Sequence, residues 1–132
     1  MKDVLVVDDD GEFLSDLSIL IDRDDLNISA FTDFDQALGY VVEKVGDIYV
    51  CLVDMKPMRT VPDEKRMTDE DRRLLQVPEE ICREVQSRGW GDQFYFMSNH
   101  RSEYDNTVLQ RTGAKFVKKG ELSKRLDGIL GV

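Results

Sequence analysis

The chain has 132 residues, enough for one domain with a closed core, and 41% of them are apolar. Its 27 aspartates and glutamates outnumber 18 lysines and arginines, for a formal net charge of −9, which excludes the basic field that a nucleic-acid or anionic-membrane surface needs. No apolar stretch approaches the length of a membrane span. The opening MKDVLVVDDD turns acidic too early for a secretory signal, and Cys51, Cys82 and the single histidine, His100, cannot build a disulfide framework or a multi-histidine metal site. A cytoplasmic domain is expected.

Val4–Val7 is a continuous β-branched and leucine run closed by three aspartates, the pattern of a strand buried on both faces. Phe13, Leu14, Leu17, Leu20 and Ile21 then recur at helical spacing. Asn27–Thr32 reads as a second strand. Asp33, three residues before Gln36, starts a helix carrying Ala37, Leu38, Val41 and Val42. Ile48–Val53 is the third strand, closed by Asp54. From Lys56 to Gln76 the pattern is irregular, and eleven of the eighteen residues from Lys56 to Arg73 are charged. This predicts a solvated excursion of about residues 56–76, in which Thr68 and Asp71 could cap a short extra helix through Leu74 and Leu75.

Pro78 reads as the first residue of a helix with Ile81 and Val85, stopped near Gly89. Phe94–Met97 is the fourth strand, and Ser102 with Asp105 caps a helix bearing Val108 and Leu109 that ends at Gly113. Phe116–Val117 is a short fifth strand. Leu122, Leu126, Ile129 and Leu130 form the face of a last helix. Strands alternating with helices at this pace predict a parallel sheet covered on both faces.

In such a sheet, ligands bind beyond the carboxyl ends of the strands. The first strand ends in Asp8, Asp9 and Asp10, the third in Asp54, the fourth in Ser98, Asn99 and His100, and the fifth in Lys118 and Lys119. Crowded carboxylates repel, and a divalent cation relieves them. Oxygen donors without a thiol or imidazole partner suit Mg²⁺. A lysine and a hydroxyl at the same edge complement a phosphoryl group. Taken singly, Asp9 or Asp10 could equally cap the following helix, Ser98 could be a turn hydroxyl, and either lysine could be surface charge. Asp54 precedes Met-Lys-Pro and not a helix start, so capping does not account for it. The chemistry indicated is Mg²⁺-dependent phosphoryl transfer.

The ordered pieces VLVVDDD, YVCLVDMK, FYFMS and GAKFVKKG resemble the receiver domain of a two-component response regulator, over essentially all 132 residues. The resemblance implies a single domain over residues 1–132 with the flavodoxin-like, doubly wound (βα)5 fold, a three-layer sandwich around a five-stranded parallel sheet. It implies Asp54 as phosphoacceptor, and Asp8, Asp9, Asp54 and the backbone carbonyl of Lys56 as Mg²⁺ ligands. Lys119 would pair with the phosphoryl oxygens, Ser98 would be the switch hydroxyl, and Phe116 the switch aromatic. Such a domain catalyses its own phosphorylation and dephosphorylation and is not a dedicated enzyme. Its partners would be a sensor histidine kinase or histidine phosphotransfer protein, and a downstream effector or fused output domain reading the fourth helix, fifth strand and fifth helix. Neither direct nucleic-acid binding nor membrane insertion is expected.

The sequence departs from the family pattern in four places. The interval from Asp54 to Ser98 is 44 positions, roughly a dozen more than usual. Pro57 comes one position early. The GAKF turn is one residue short, which leaves Lys118 as a lesser candidate for the lysine. Asn99 replaces a very small residue and His100 follows it, which predicts an altered lifetime of the phosphorylated state. Two other readings remain at this point. One is a receiver-like interaction module that is never phosphorylated. The other is a haloacid dehalogenase-type phosphatase with Asp8 as nucleophile and Asp10 as acid/base, which lacks further acidic ligands beyond Lys119 and gives Asp54 no role.

Overall fold

Five strands alternate with five helices among the described residues of the computed structural model, which are 2–56 and 63–131. Pro57 and residues 58–62 of the charged excursion lie outside them. In chain order the elements are β1 (Lys2–Val7), α1 (Gly11–Leu20), β2 (Leu26–Phe31), α2 (Phe34–Glu43), β3 (Val50–Asp54), α3 (Asp69–Ser87), β4 (Phe94–Ser98), α4 (Glu103–Thr112), β5 (Lys115–Lys118) and α5 (Leu122–Leu130). The strands form one parallel sheet in the order β2-β1-β3-β4-β5. The order reverses between β1 and β3, and that reversal opens a crevice at the carboxyl ends of these two strands.

The continuous apolar runs serve both faces. On β1, Leu5 and Val7 join Cys51, Val53, Phe94 and Phe96 beneath α2, α3 and α4. Val4 and Val6 join Val50, Leu52, Tyr95 and Met97 beneath α1 and α5. Two-residue periodicity along each strand thus divides the core into two layers. Cys51 and Cys82 are free thiols buried in the first layer, where burial pushes the Cys82 thiol up to about 12 and Cys51 higher still.

Helix starts follow their caps. Asp10 accepts from the Glu12 and Phe13 N–H groups (3.1 and 3.3 Å), and Asp33 from Gln36 N–H. Thr68 with Asp71 and Ser102 with Asp105 form complete capping boxes. Two helix faces differ from the pattern predicted for them. Leu20 and Val42 are exposed, because each sits about 100° around its helix from the buried Ile21 or Val41.

The larger correction concerns α3. The predicted short helix at Thr68 and the predicted start at Pro78 are one 19-residue helix with Pro78 in its interior. The excursion therefore stops at the Thr68 cap and does not run to Gln76. An interior proline removes one ladder hydrogen bond, a cost of about 3 kcal/mol. Burial of Leu75, Val77, Pro78, Ile81, Cys82 and Val85 outweighs it. Tertiary ties hold the segment before the proline: Arg73 forms a two-pronged pair with Asp35 of α2 (2.6 and 3.0 Å), and the Tyr104 hydroxyl donates to the Leu75 carbonyl (3.2 Å).

At the opposite end of β1 from the crevice, Asp3 is buried in a closed polar network. It accepts from Ser29 (2.9 Å), Asn27 (3.3 Å) and the Tyr40 hydroxyl, and Lys44 Nζ lies 3.2 Å away. Below α5, the Tyr49 hydroxyl donates to the Leu130 carbonyl at 2.8 Å.

Candidate functional site

The strand ends of β1, β3 and β4 and the turn after β5 meet in a pocket of about 310 Å³. Asp8 is fully buried. Its Oδ1 accepts from the Asp10 N–H (2.9 Å), and Lys119 Nζ stands 2.6 Å from its Oδ2. Asp54 ends the central strand and is only 4% exposed. Its Oδ1 accepts from the Lys56 N–H at 3.3 Å and lies 3.6 Å from Lys119 Nζ. Asp9 is exposed at the mouth, and one carboxylate oxygen each from Asp8, Asp9 and Asp54 falls within 4.8 Å of the others.

Burial is the main force on these groups. It pushes Asp54 from the ordinary 3.8 up to about 7; Lys119 opposes this and the charge of Asp8 adds to it. Asp9 is raised as well, by partial burial first and by Asp8 second. Burial works against the charged form of Lys119, but Asp54, Asp8 and Asp9 together raise it above its ordinary value. The Lys119 ammonium also sits 5.0 Å from the centre of the Phe13 ring.

Ser98 is buried at the end of β4, and its hydroxyl donates to the His100 carbonyl at 2.8 Å. The Asn99 and His100 side chains are exposed at the rim. Phe116, half-buried on β5, packs toward α4 with the Arg101 guanidinium 5.4 Å from its ring centre. Lys118 is exposed and does not line the pocket. Asp8, Asp9, Asp54, Ser98, Lys56 and Lys119 are therefore brought together, while Phe116 lies one strand width away.

Three carboxylates at this spacing, two of them buried, fit a hard divalent cation with oxygen preference. Two roles were not separable in sequence. Asp10 lines the pocket but its carboxylate caps α1. Asp105 reads in sequence only as a cap, yet it is completely buried and lies 3.4 Å from Lys56 Nζ. The lysine two residues after Asp54, with no other assigned partner, is the signal that could have found it.

No family model matches the chain, and no curated protein does. Solved structures match over nearly its whole length. A response regulator receiver domain protein from Clostridium thermocellum is 19% identical, covering 99% of this chain and 95% of that one, with a TM-score of 0.65. The Vibrio cholerae chemotaxis protein CheY4 is 15% identical over 98% of this chain and 99% of its own, also at 0.65. The N-terminal domain of a response regulator/sensory box/GGDEF three-domain protein from Carboxydothermus hydrogenoformans is 13% identical, covering 98% and 91%, at 0.69. The fold is that of a response regulator receiver domain. The flavodoxin-like (βα)5 architecture follows from it, with the strand order 2-1-3-4-5 and its crevice at the β1/β3 reversal. Among the described residues, no helix of this receiver fold is long and apolar enough to cross a membrane.

Proposed function

We propose that the chain is a two-component receiver that takes a phosphoryl group onto Asp54 from a phosphohistidine of a sensor kinase or phosphotransfer protein. The observation that carries this reading is a buried carboxylate at the end of the central strand, held between an acidic pair and Lys119. An ionised Asp54 oxygen attacks phosphorus in line, the P–N bond breaks, the imidazole leaves with the bonding pair, and an acyl phosphate remains. Lys119 opposes the charge that develops on the phosphoryl oxygens and favours the ionised nucleophile. Asp8, Asp9, Asp54 and the Lys56 carbonyl would hold Mg²⁺, which supplies charge neutralisation between carboxylate and phosphoryl oxygens.

Ser98 then redirects its hydroxyl hydrogen bond from the His100 carbonyl to a phosphoryl oxygen. Phe116 follows into the space vacated, and the surface of α4, β5 and α5 changes for an effector or a fused output domain in the cytoplasm. The domain catalyses both its own phosphorylation and its return to the bare state. The cap that Asp10 provides to α1 speaks against the phosphatase reading, since its carboxylate already accepts two backbone N–H groups.

The test is intact-mass labelling with a small-molecule phosphodonor and Mg²⁺, followed by peptide mapping. The wild type should gain one phosphoryl group on Asp54, Asp54→Asn none, and Asp8→Asn little for want of metal. Label on Asp8 with turnover of the donor would establish the phosphatase, and no label in folded protein would leave an interaction module.

A further inference from the structure

The Asp105 side chain, in the first turn of α4, is fully buried. Its Oδ2 accepts from the Ser102 N–H (2.9 Å) and lies 3.4 Å from Lys56 Nζ, while its Oδ1 is buried and receives no hydrogen bond. A carboxylate so placed depends on its cation. Lys56 also belongs to the phosphoacceptor pocket, because its N–H donates to Asp54 and the residue, whose side chain is partly exposed, is among those lining the cavity. Its backbone thus touches the reacting carboxylate while its ammonium reaches the start of α4.

The charge count of the pocket gives this position a consequence. Ionised around a divalent cation, Asp8, Asp9 and Asp54 would carry three negative charges, which that cation and Lys119 would balance. A phosphoryl group on Asp54 replaces one negative charge by about two, which leaves the pocket one cation short. Lys56 is the lining cation that can supply it.

We propose that Lys56 is a shared cation, paired with Asp105 while Asp54 is bare and drawn to the phosphoryl group once Asp54 carries one, so that Asp105 and the first turn of α4 are released. Lys56 and Asp105 are in this sense positioning residues of the switch, and the inference rests on the phosphoacceptor reading. The pair makes the pocket and α4 compete for one charge, and such competition is reciprocal.

The test titrates full-length protein with beryllofluoride and Mg²⁺ as the phosphoryl mimic, read by calorimetry and by hydrogen exchange over residues 102–109. Asp105→Asn keeps the cap acceptor but frees Lys56, and should tighten beryllofluoride binding at least ~5-fold, the lower end of coupling between linked sites. Lys56→Met should weaken it by a similar factor, and Asp105→Asn should have no further effect in that background. Wild-type exchange in the first turn of α4 should rise on binding, and in Lys56→Met it should be fast already and unresponsive. If Asp105→Asn does not fold, Lys56→Met carries the test through its loss of affinity and its silent α4. Weakening by both single substitutions, or an unchanged affinity in Asp105→Asn, would overturn the shared cation alone. No binding by the wild type would overturn the phosphoacceptor reading with it.

Discussion

Replacing Asp54 by asparagine should change how stability depends on pH, in a direction fixed by the burial of that carboxylate. In the folded chain Asp54 holds its proton up to about 7, whereas an unfolded chain releases it at the ordinary 3.8. Between those values the folded state binds more protons, so this group's contribution to stability falls as pH rises. Below 3.8 both states are protonated and the contribution is complete; above about 7 it is lost. At about 1.36 kcal/mol per tenfold, the interval corresponds to at most on the order of 4 kcal/mol. Asp54→Asn removes that dependence. Urea unfolding at pH 4 and pH 7.5 should therefore give closely similar wild-type and Asp54→Asn stabilities at the lower pH, with the variant ahead by a few kcal/mol at the higher. Mg²⁺ at pH 7.5 should recover most of the difference for the wild type and little for the variant. A wild-type minus variant difference that does not move between the two pH values would refute the account of a strained, desolvated acceptor.

Three further outcomes follow from named contacts. Asp10→Ala should cost about 1 kcal/mol by removing the α1 cap while leaving phosphate uptake intact; loss of labelling in a folded variant would show that the carboxylate does chemistry. Gly131→Ala should lower the melting temperature, because φ is +77° and a Cβ there would meet the Tyr49 hydroxyl at 2.8 Å, a loss of about 1–2 kcal/mol; an unchanged melt would contradict the geometry. The pair Asn99→Ala, His100→Ala removes two exposed rim side chains, so folding stability should stay within about 0.5 kcal/mol while the phosphoryl label on Asp54 decays faster as water gains access; an unchanged decay rate would remove both residues from any part in its lifetime.

The sheet was legible because buried parallel strands write themselves as unbroken apolar runs, and Val4–Val7, Val50–Val53 and Phe94–Met97 are such runs. The pocket was legible because polar residues collect at the ends of β1, β3, β4 and β5, and Asp54 among them has no helix start to cap. Elsewhere local rules competed. Pro78 has the form of a helix start, and only the stronger cap at Thr68 and the buried residues on either side reveal a continuous α3. Strand ends shifted by a residue or two, as at Ile48, because hydrogen-bonded neighbours and not side-chain type decide where a ladder stops. The partnership of Lys56 with Asp105 joins residues 49 positions apart, and no spacing rule reaches that far. Asp3 escaped notice for the same reason, since its partners come from β2 and α2.

Two buried aspartates, Asp3 on β1 and Asp8 just after it, give that strand something its apolar residues cannot. A run such as Val-Leu-Val-Val would fit its neighbours almost as well if it slid along them, and a slide of one residue turns every side chain to the other face. Asp3 and Asp8 stand five positions apart and so point to opposite sides, one toward Tyr40 on α2 and Lys44 at its end, the other toward Lys119 beside α5. Any displacement would strand both carboxylates in hydrocarbon, away from their separate cations. The strand is pinned like a rule held at two marks, and the position of the crevice end is set in part by a network at the far end of the molecule.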